Sequence, residues 1–279
     1  SPQPPRDERR PEGGDPLQPE NQNDHVTKRG AKISHRETAT VLQVLNALDP
    51  ETYTEITDAF RRIDEDPEIA VGIITGAGDR AFTAGADLKL MHTGAAPQQE
   101  WTAWRPDRWD LGATTSKPMV AAVNGYALAG GLELALACDI RIAADTAFFG
   151  TPEVKWNLLH GYGAYLLPRI ISLSFAMEML LTGEFIDAAT ALRIGLVSRV
   201  VPAPDLQEEA EQIARRIASN GPMAVRMTKE LVRNGLSASP EQHFRLMREY
   251  YSQADTSAEQ AEGLRAFAEK RDPNYQASP

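Results

Sequence analysis

The chain contains four short apolar runs, separated by segments of helical or loop character. They span residues 70–75, 119–123, 140–144 and 197–201. Short apolar runs of this kind are typical of strands whose two faces are both covered, as in parallel sheets. Because strands that alternate with helices favour parallel pairing, the chain is predicted to have an α/β fold.

An apolar stripe at helical spacing lies before the first of these runs. It starts after Pro50 and ends in the polar residues 64–68, and its members recur at steps of three and four positions. These members are Tyr53, Ile56, Phe60 and Ile63. The spacing predicts a helix that buries one face against the strands.

The last third of the chain is predicted to be entirely helical. Apolar residues recur at helical spacing after Leu206 and again after Met223. The first helix is predicted to be capped by Gly221 and the second to stop near Gly235, with further helices within 241–269. A helical end that has few strands to cover is expected to pack on a neighbouring subunit, which predicts an oligomer.

The N-terminal residues differ in character from the rest. Between residues 1 and 24 the only large apolar side chain is Leu17, and six prolines and many charges prevent a packed element. Residues 25–43 lack clean periodicity and are predicted only as poor strands. The predicted organisation is therefore a disordered tail (1–24), a core (25–201) and a helical oligomerisation region (202–279).

Charge and cysteine content argue against several classes of function. With 29 basic and 39 acidic side chains the formal charge is −10, which argues against nucleic acid or a membrane as the main partner. The single Cys138 excludes an internal disulfide, no Cys/His spacing resembles a metal site, and no targeting segment is visible, so a cytoplasmic location is expected. Residues 119–138 lack Lys and Arg, but Asn124 and Glu133 indicate buried core rather than a membrane span.

The first candidate ligand site is the small-residue turn 84–88, which follows a predicted buried strand and precedes a helical pattern. Such a turn leaves backbone N–H groups free and lets a ligand approach the main chain closely. The alternative is an ordinary strand-to-helix turn in which Asp87 interacts favourably with the helix dipole.

The second candidate is 124–133, where a strand runs into a loop of small residues and Gly130 opens an apolar helix. Free N–H groups near Gly130 would form half of an oxyanion hole. Glu133 is the only charged residue between Lys117 and Asp139, and burial would raise its pKa, as an acid or base near neutral pH requires. The alternative is a structural Glu133 paired with an arginine or a helix N-terminus.

The third candidate is Glu153, which follows an apolar pair and a proline. A second acid in this position could face Glu133 across a pocket and complete the pair of carboxylates that acid–base chemistry needs. The alternative is a solvated loop glutamate. The glycine-bearing loop 158–164 comes next, and its His160 is expected to be structural or gating because the chain has no serine elbow.

Together these residues resemble the enoyl-CoA hydratase/isomerase (crotonase) superfamily over residues 46–276. Ordered motifs over so much of the chain are far more specific than any one of them. The matching segments are 46–48, 75–78, 82–88, 122–125, 130–135, 138–139, 149–153, 195–197 and 267–271.

The resemblance implies a crotonase-like spiral of ββα units followed by a C-terminal helical trimerisation region, and therefore a homotrimer or a dimer of trimers. It also implies an acyl-CoA thioester as substrate, with no cofactor beside the coenzyme A that the substrate contains. The thioester carbonyl would lie between the amides of Ala86 and Gly130, which would stabilise an enolate.

The resemblance also assigns roles to individual residues. Hydratases of the family use two glutamates, which match Glu133 and Glu153. Glu133 would take a proton from water and Glu153 would deliver one to Cα, with Gly161 as a backbone contact to the water. The remaining implied substrate-binding positions are Ala84, Asp87, Leu88, Phe267 and Lys270, the last two reaching coenzyme A, often from a neighbouring subunit.

Three segments depart from the family pattern. Residues 40–45 replace an entry of the Leu-Asn-Arg-Pro type at the first hairpin. Residues 164–167 replace a common Gly-Thr-Gln-Arg, and His160 stands where proline is common. The tryptophan-bearing segment 91–116 matches nothing firmly and is predicted to be the lid that selects the acyl group.

The resemblance favours an enoyl-CoA hydratase, because family members that lack one glutamate usually perform other chemistry. A carnitinyl-CoA dehydratase would use the same two acids in the reverse direction. Isomerisation, thioester hydrolysis or C–C cleavage through the same enolate, and a CoA-binding oligomer without turnover, remain as alternatives.

Overall fold

The structure is a computed structural model that describes residues 32–36, 39–44, 48–93 and 115–275. The predicted tail 1–24 and all but the ends of the predicted lid 91–116 lie outside the described residues. The strands are β1 (Lys32–Arg36), β2 (Ala39–Val44), β3 (Val71–Gly76), β4 (Ala81–Thr83), β5 (Met119–Val123), β6 (Tyr126–Leu128), β7 (Ile140–Ala144), β8 (Phe148–Gly150), β9 (Phe185–Asp187) and β10 (Arg199–Val201). The α-helices are α1 (Pro50–Glu65), α2 (Leu88–Thr93), α3 (Gly130–Ala137), α4 (Gly161–Ile170), α5 (Leu173–Thr182), α6 (Ala188–Arg193), α7 (Leu206–Ala218), α8 (Pro222–Gly235), α9 (Pro240–Ala254) and α10 (Ala258–Glu269).

The strands form two sheets. The larger has the order β1-β2-β3-β5-β7-β10, in which β1 and β2 form an antiparallel hairpin and the other neighbours are parallel. The smaller has the order β4-β6-β8-β9, with only the β8–β9 pair antiparallel. Successive strands alternate between the two sheets from β3 to β8, so the chain winds in a spiral, which confirms the predicted fold class.

Both faces of the larger sheet are covered, as the apolar runs predict. Every residue of β3 and β5 is buried. Side chains alternate between the two faces along a strand. On one face Val71 and Ile73 pack with Ala210 of α7. On the other face Ile74 and Met119 belong to the core around α1 and α3.

Helix α1 forms as its sequence predicts. Asp49 is the N-cap and accepts a hydrogen bond from the amide of Thr52 at 2.8 Å, while Pro50 occupies the first turn, where its missing N–H is not needed. Ile56 and Phe60 are fully buried, so the stripe faces the core. The helix thereby covers the region in which the turn after β4 meets α3.

Several predicted boundaries need correction. The strand predicted over 197–201 begins only at Arg199. Gly221 does not cap the end of α7, because that helix already ends at Ala218. Gly221 has φ −58° and is instead the N-cap of α8. The glycine-bearing loop predicted over 158–164 is in part the first turn of α4. The smaller sheet was missed, because strands of three residues are too short to show a period.

Within the C-terminal helical region, α7 packs on the larger sheet, whereas α8 and α9 are loosely packed on the rest of the single chain. Helices α8 and α9 have no buried residue, although α8 is tied to the core by ion pairs of Lys229 (2.8 Å) and Arg233 (2.7 Å) with Asp139. Exposed apolar side chains on these helices include Val232 and Phe244. Within the described residues, no helix is both long and apolar enough to cross a membrane.

Candidate active site

Two sequence motifs meet where β4 ends and α3 begins. Gly85 lies in the turn after β4 with φ +83°, a conformation that favours glycine. A Cβ on Gly85 would lie 2.7 Å from the amide nitrogen of Gly130, and a Cβ on Gly131 would lie 2.0 Å from the carbonyl oxygen of Thr83. The glycines are therefore needed so that the turn and the helix start can touch.

This close approach places two backbone amides side by side. Ala86 pairs with Leu48 in a parallel β-bridge. The two hydrogen bonds of this bridge are donated by the amides of Leu48 and Asp87. The N–H of Ala86 itself therefore points away from Leu48. Gly130 is the first residue of α3, and its N–H has no acceptor within the helix. A Cβ on Gly130 would be 3.9 Å from the nitrogen of Ala86.

Asn124 fixes the loop that leads into this turn. Its side-chain oxygen accepts from the amide of Gly76 at 3.0 Å, and its Nδ2 donates to the carbonyl oxygens of Gly76, Gly78 and Ala81 at 3.2, 2.8 and 3.3 Å. The side chain of Asn124 thus connects the end of β3 to the start of β4 by hydrogen bonds. These bonds help to fix the position of the turn that follows β4 and contains Ala86.

Glu133 lies one turn into α3, three residues after Gly130. Its Oε1 accepts hydrogen bonds from the amides of Tyr162 (2.9 Å) and Gly163 (3.4 Å) in the first turn of α4. Burial raises the pKa of Glu133; the nearby Glu153 acts in the same direction, whereas His160 and the two amides oppose it. The alternative interpretation of Glu133 expected a helix N-terminus as its structural partner, and the first turn of α4 is such a partner. The same carboxyl group also has a raised pKa.

Glu153 lies in the 3₁₀ turn Pro152–Trp156, and only 11% of its side chain is exposed. This burial overturns the alternative of a solvated loop residue. Its Oε1 contacts Nδ1 of His160, whereas its Oε2 is buried without a hydrogen-bond partner among the described residues. The Nδ1 atom of His160 is also 4.0 Å from Oε1 of Glu133, so the imidazole lies between the two carboxyl groups.

Four other predicted site residues lie in the turn after β4 or at the start of α4. Ala84 and Leu88 are exposed beside the turn, and Asp87 accepts from the amide of Lys89 at 2.9 Å, which is the helix-start role of the alternative interpretation. Gly161 is the exposed first residue of α4, next to the amides that hold Glu133.

Two further predicted positions lie at the end of α10. Phe267 is 85% exposed in the single chain, and Lys270 is the left-handed C-cap of the helix with φ 54°. Within the described residues neither makes a hydrogen bond to the two glutamates. Their proposed contact with coenzyme A stays a prediction.

Sequence reasoning missed two features of the site. Tyr53 was assigned only to the apolar stripe of α1, but its hydroxyl oxygen would be 3.2 Å from a Cβ on Gly130, beside the paired amides. The contact of His160 with Glu153 was also missed, although a histidine seven residues after a candidate acid was a visible signal. Among the described residues, no group of three or more His, Cys, Asp or Glu could hold a metal ion.

Two adjacent backbone amides beside two largely buried carboxyl groups form a site suited to acid–base chemistry on a substrate that develops negative charge on oxygen. Residues 41–278 match the family described as enoyl-CoA hydratase/isomerase. The chain belongs to this family.

Individual relatives agree with this family. The chain is 44% identical over 234 residues to a probable enoyl-CoA hydratase of Mycobacterium bovis, covering 84% of this chain and 90% of that protein. It is 39% identical over 266 residues to a carnitinyl-CoA dehydratase of Proteus mirabilis, covering 90% and 97%. The crystal structure of an enoyl-CoA hydratase from Bacillus anthracis superposes with a TM-score of 0.81 at 35% identity, covering 90% of this chain and all of that one (100%).

Proposed function

We propose that this protein is an enoyl-CoA hydratase that adds water reversibly across the 2,3 double bond of an enoyl-CoA thioester. The observation that supports this most is the pair of carboxyl groups, Glu133 and Glu153, which lie on either side of one imidazole, near the adjacent amides of Ala86 and Gly130. An isomerase or hydrolase that works with a single acid has no need for this second buried carboxyl group. The family and the relatives place such a lyase among the expected activities.

The paired amides of Ala86 and Gly130 would bind the thioester oxygen. When water adds at C3, electrons move toward this oxygen and an enolate forms, so donors aimed at it stabilise the transition state more than the substrate. Gly130 also begins α3, whose N-terminal dipole favours negative charge at this point. The hydroxyl of Tyr53 lies close enough to take part in this environment.

The two glutamates would divide the proton transfers. Ionised Glu133 takes a proton from water while the water oxygen bonds to C3, and protonated Glu153 gives its proton to C2 as the enolate collapses. Burial raises the pKa of Glu133 toward the range in which a base works near neutral pH, while the amides of Tyr162 and Gly163 keep its ionised form accessible. One water is consumed, and the proton left on Glu133 must return to Glu153 before the next turnover.

The proposed oligomeric state and cellular location rest on the C-terminal helices and on the composition of the chain. The exposed apolar side chains of α8 and α9 support a homotrimer or a dimer of trimers, in which Phe267 and Lys270 would reach coenzyme A of a neighbouring subunit. Coenzyme A enters as part of the substrate, and the chemistry needs no other cofactor. The single Cys138 supports a cytoplasmic location. The molar mass in solution tests the assembly.

A carnitinyl-CoA dehydratase is the second candidate. The relative in Proteus mirabilis bears that name, and its alignment covers more of this chain than that of the Mycobacterium bovis protein. Dehydration is the reverse of hydration and would use the same two acids. Only the acyl group distinguishes the two activities.

The test is to mix the purified protein with crotonyl-CoA and follow the loss of conjugated absorbance and the release of free thiol in parallel. Hydration is expected to lower the absorbance without releasing thiol. Thiol release would support a hydrolase. No change with crotonyl-CoA or with longer enoyl-CoAs would contradict the hydratase assignment, and turnover confined to carnitinyl-CoA would select the second candidate.

A further inference from the structure

His160 stands at the start of α4 with only 2% of its side chain exposed. Two titratable groups face its Nδ1 atom: Glu153 from the 3₁₀ turn, in direct contact, and Glu133 from α3, at 4.0 Å. The imidazole therefore lies between the two carboxyl groups, in direct contact with Glu153 only.

The ring is held on its other side by the backbone of α4. A Cβ on Gly163 would lie 1.9 Å from both Cδ2 and Nε2 of His160, so the imidazole occupies the space that a side chain at residue 163 would need. Its Nε2 is buried and has no partner among the described residues. Since burying an unpaired polar atom is unfavourable, a residue that served only to fill space would be better apolar. The polar contact of this ring is the one at Nδ1.

Glu153 depends on this contact for its orientation. Its Oε1 is engaged by His160, and its Oε2 is buried with no partner among the described residues. Glu133, in contrast, is held by two main-chain amides. Without the imidazole, the carboxyl group of Glu153 would lack the hydrogen bond that distinguishes its two oxygens.

We propose that His160 is a positioning residue for the acid Glu153: by holding Oε1, Nδ1 fixes the orientation of the carboxyl group that exchanges a proton with C2 of the substrate. The inference rests on the proposed hydratase function. It assigns His160 no contact with the substrate. Its effect is on the proton transfer after binding, and therefore on kcat rather than on KM.

The kinetic test compares two substitutions of His160 with crotonyl-CoA as substrate. His160→Ala removes the contact, whereas His160→Asn places an amide donor at the distance of Nδ1 from Cα. His160→Ala is expected to lower kcat about 10- to 100-fold, a part of the roughly 10²- to 10⁴-fold that a general acid contributes, with KM changed less than about threefold. His160→Asn is expected to recover at least about fivefold of this loss.

The matched control is His243→Asn, a histidine of α9 outside the site, which is expected to keep wild-type kcat and KM. The proposal is contradicted if His160→Ala retains kcat within twofold of wild type, if its loss is mainly in KM, or if His160→Asn is no better than His160→Ala.

A second measurement needs no substrate, so it separates a failure of this inference from a failure of the hydratase assignment. In proton NMR of the wild type, a hydrogen-bonded imidazole N–H is expected far downfield. This signal should disappear in both His160→Asn and Glu153→Ala, which removes the acceptor oxygen, and persist in His243→Asn. A signal that is absent from the wild type, or that persists in Glu153→Ala, would overturn the inferred contact even if hydration were observed.

Discussion

The two acids of the site are held in different ways. Glu133 sits on a helix and receives hydrogen bonds from two main-chain amides, whereas Glu153 sits in a 3₁₀ turn and is held by a side chain. The support of Glu133 depends on the fold of α4. Because its donors are main-chain amides, replacing the side chain of Tyr162 would not remove it. The side-chain support depends on one residue, His160.

This difference corresponds to the two proposed roles. Each N–H donor favours the ionised form of a carboxyl group, and Glu133 has two such donors where Glu153 has one, which suits Glu133 as the base. A carboxyl group with one engaged and one unpartnered oxygen suits an acid that must present its proton in one direction. Residues 160–163 supply both kinds of support, so one short segment of chain sets the geometry of both acids.

The largest expected effect comes from removing either acid. Glu133→Gln and Glu153→Gln are each expected to lower kcat for crotonyl-CoA hydration about 10²- to 10⁴-fold, because each loses one proton transfer. The double substitution should cost far less than the product of the two single losses, since the acids act in one reaction. Full activity of Glu153→Gln would show that a single acid suffices.

A smaller loss of kcat is expected when the paired amides of Ala86 and Gly130 are disturbed, since both proton transfers depend on the enolate that they stabilise. Gly85→Ala places a methyl group 2.7 Å from the nitrogen of Gly130 and is expected to lower kcat about 10²- to 10³-fold, as does removal of an oxyanion donor. Gly78→Ala is the matched control: its φ is +78°, close to that of Gly85, but its Cβ would meet no atom within 4 Å. Both variants carry the same backbone strain, and Gly85→Ala should lose more stability because it adds the clash; equal kinetic losses would exclude a role for the amides.

The two kinds of support can be separated within α4. Gly163→Ala places a methyl group in the ring of His160 and is expected to lower kcat about tenfold, a moderate loss of acid catalysis. Gly161→Ala, whose Cβ would meet nothing within 4 Å, keeps its amide and is expected to have the smaller effect. Steady-state kinetics check this order, and the reverse order would contradict the placement of His160.

The smallest expected effect concerns stability. Because the pKa of Glu133 is raised on folding, its ionised form costs stability, a cost that is absent below the unfolded pKa near 4.5 and grows as pH rises through the folded value. Glu133→Gln should therefore raise Tm at pH 8, by roughly 2–4 °C for each kcal/mol of cost removed in a chain of this size, and should not raise it at pH 4. Calorimetry at the two pH values checks this, and a lower Tm at pH 8 would contradict it.

The elements that sequence alone predicts well are those with long, one-sided patterns. The predicted bounds of β5 and β7 agree with the structure, and the helix after Pro50 follows from its apolar stripe. The smaller sheet was not predictable in this way, since its strands span three residues each. The hairpin of β1 and β2 appears where only poor strands were expected, because strands near the edge of a sheet need no continuous apolar run.

The site shows the same limit. The adjacency of Ala86 and Gly130 could be expected, because both lie in small-residue turns and the resemblance pairs them. The support of Glu133 by residues 29 and 30 positions further along the chain has no local signal. The role of Glu153 depends on burial, which a proline and a glutamate in a turn do not reveal.

The most direct test of the account is hydration of crotonyl-CoA in water labelled with both deuterium and oxygen-18, followed by mass spectrometry of the product. The account predicts a 3-hydroxyacyl-CoA with one oxygen-18 at C3, one deuterium at C2 and an intact thioester. Oxygen-18 in a released carboxylic acid, or deuterium in the acyl chain without oxygen-18, would contradict the addition of water by the two glutamates.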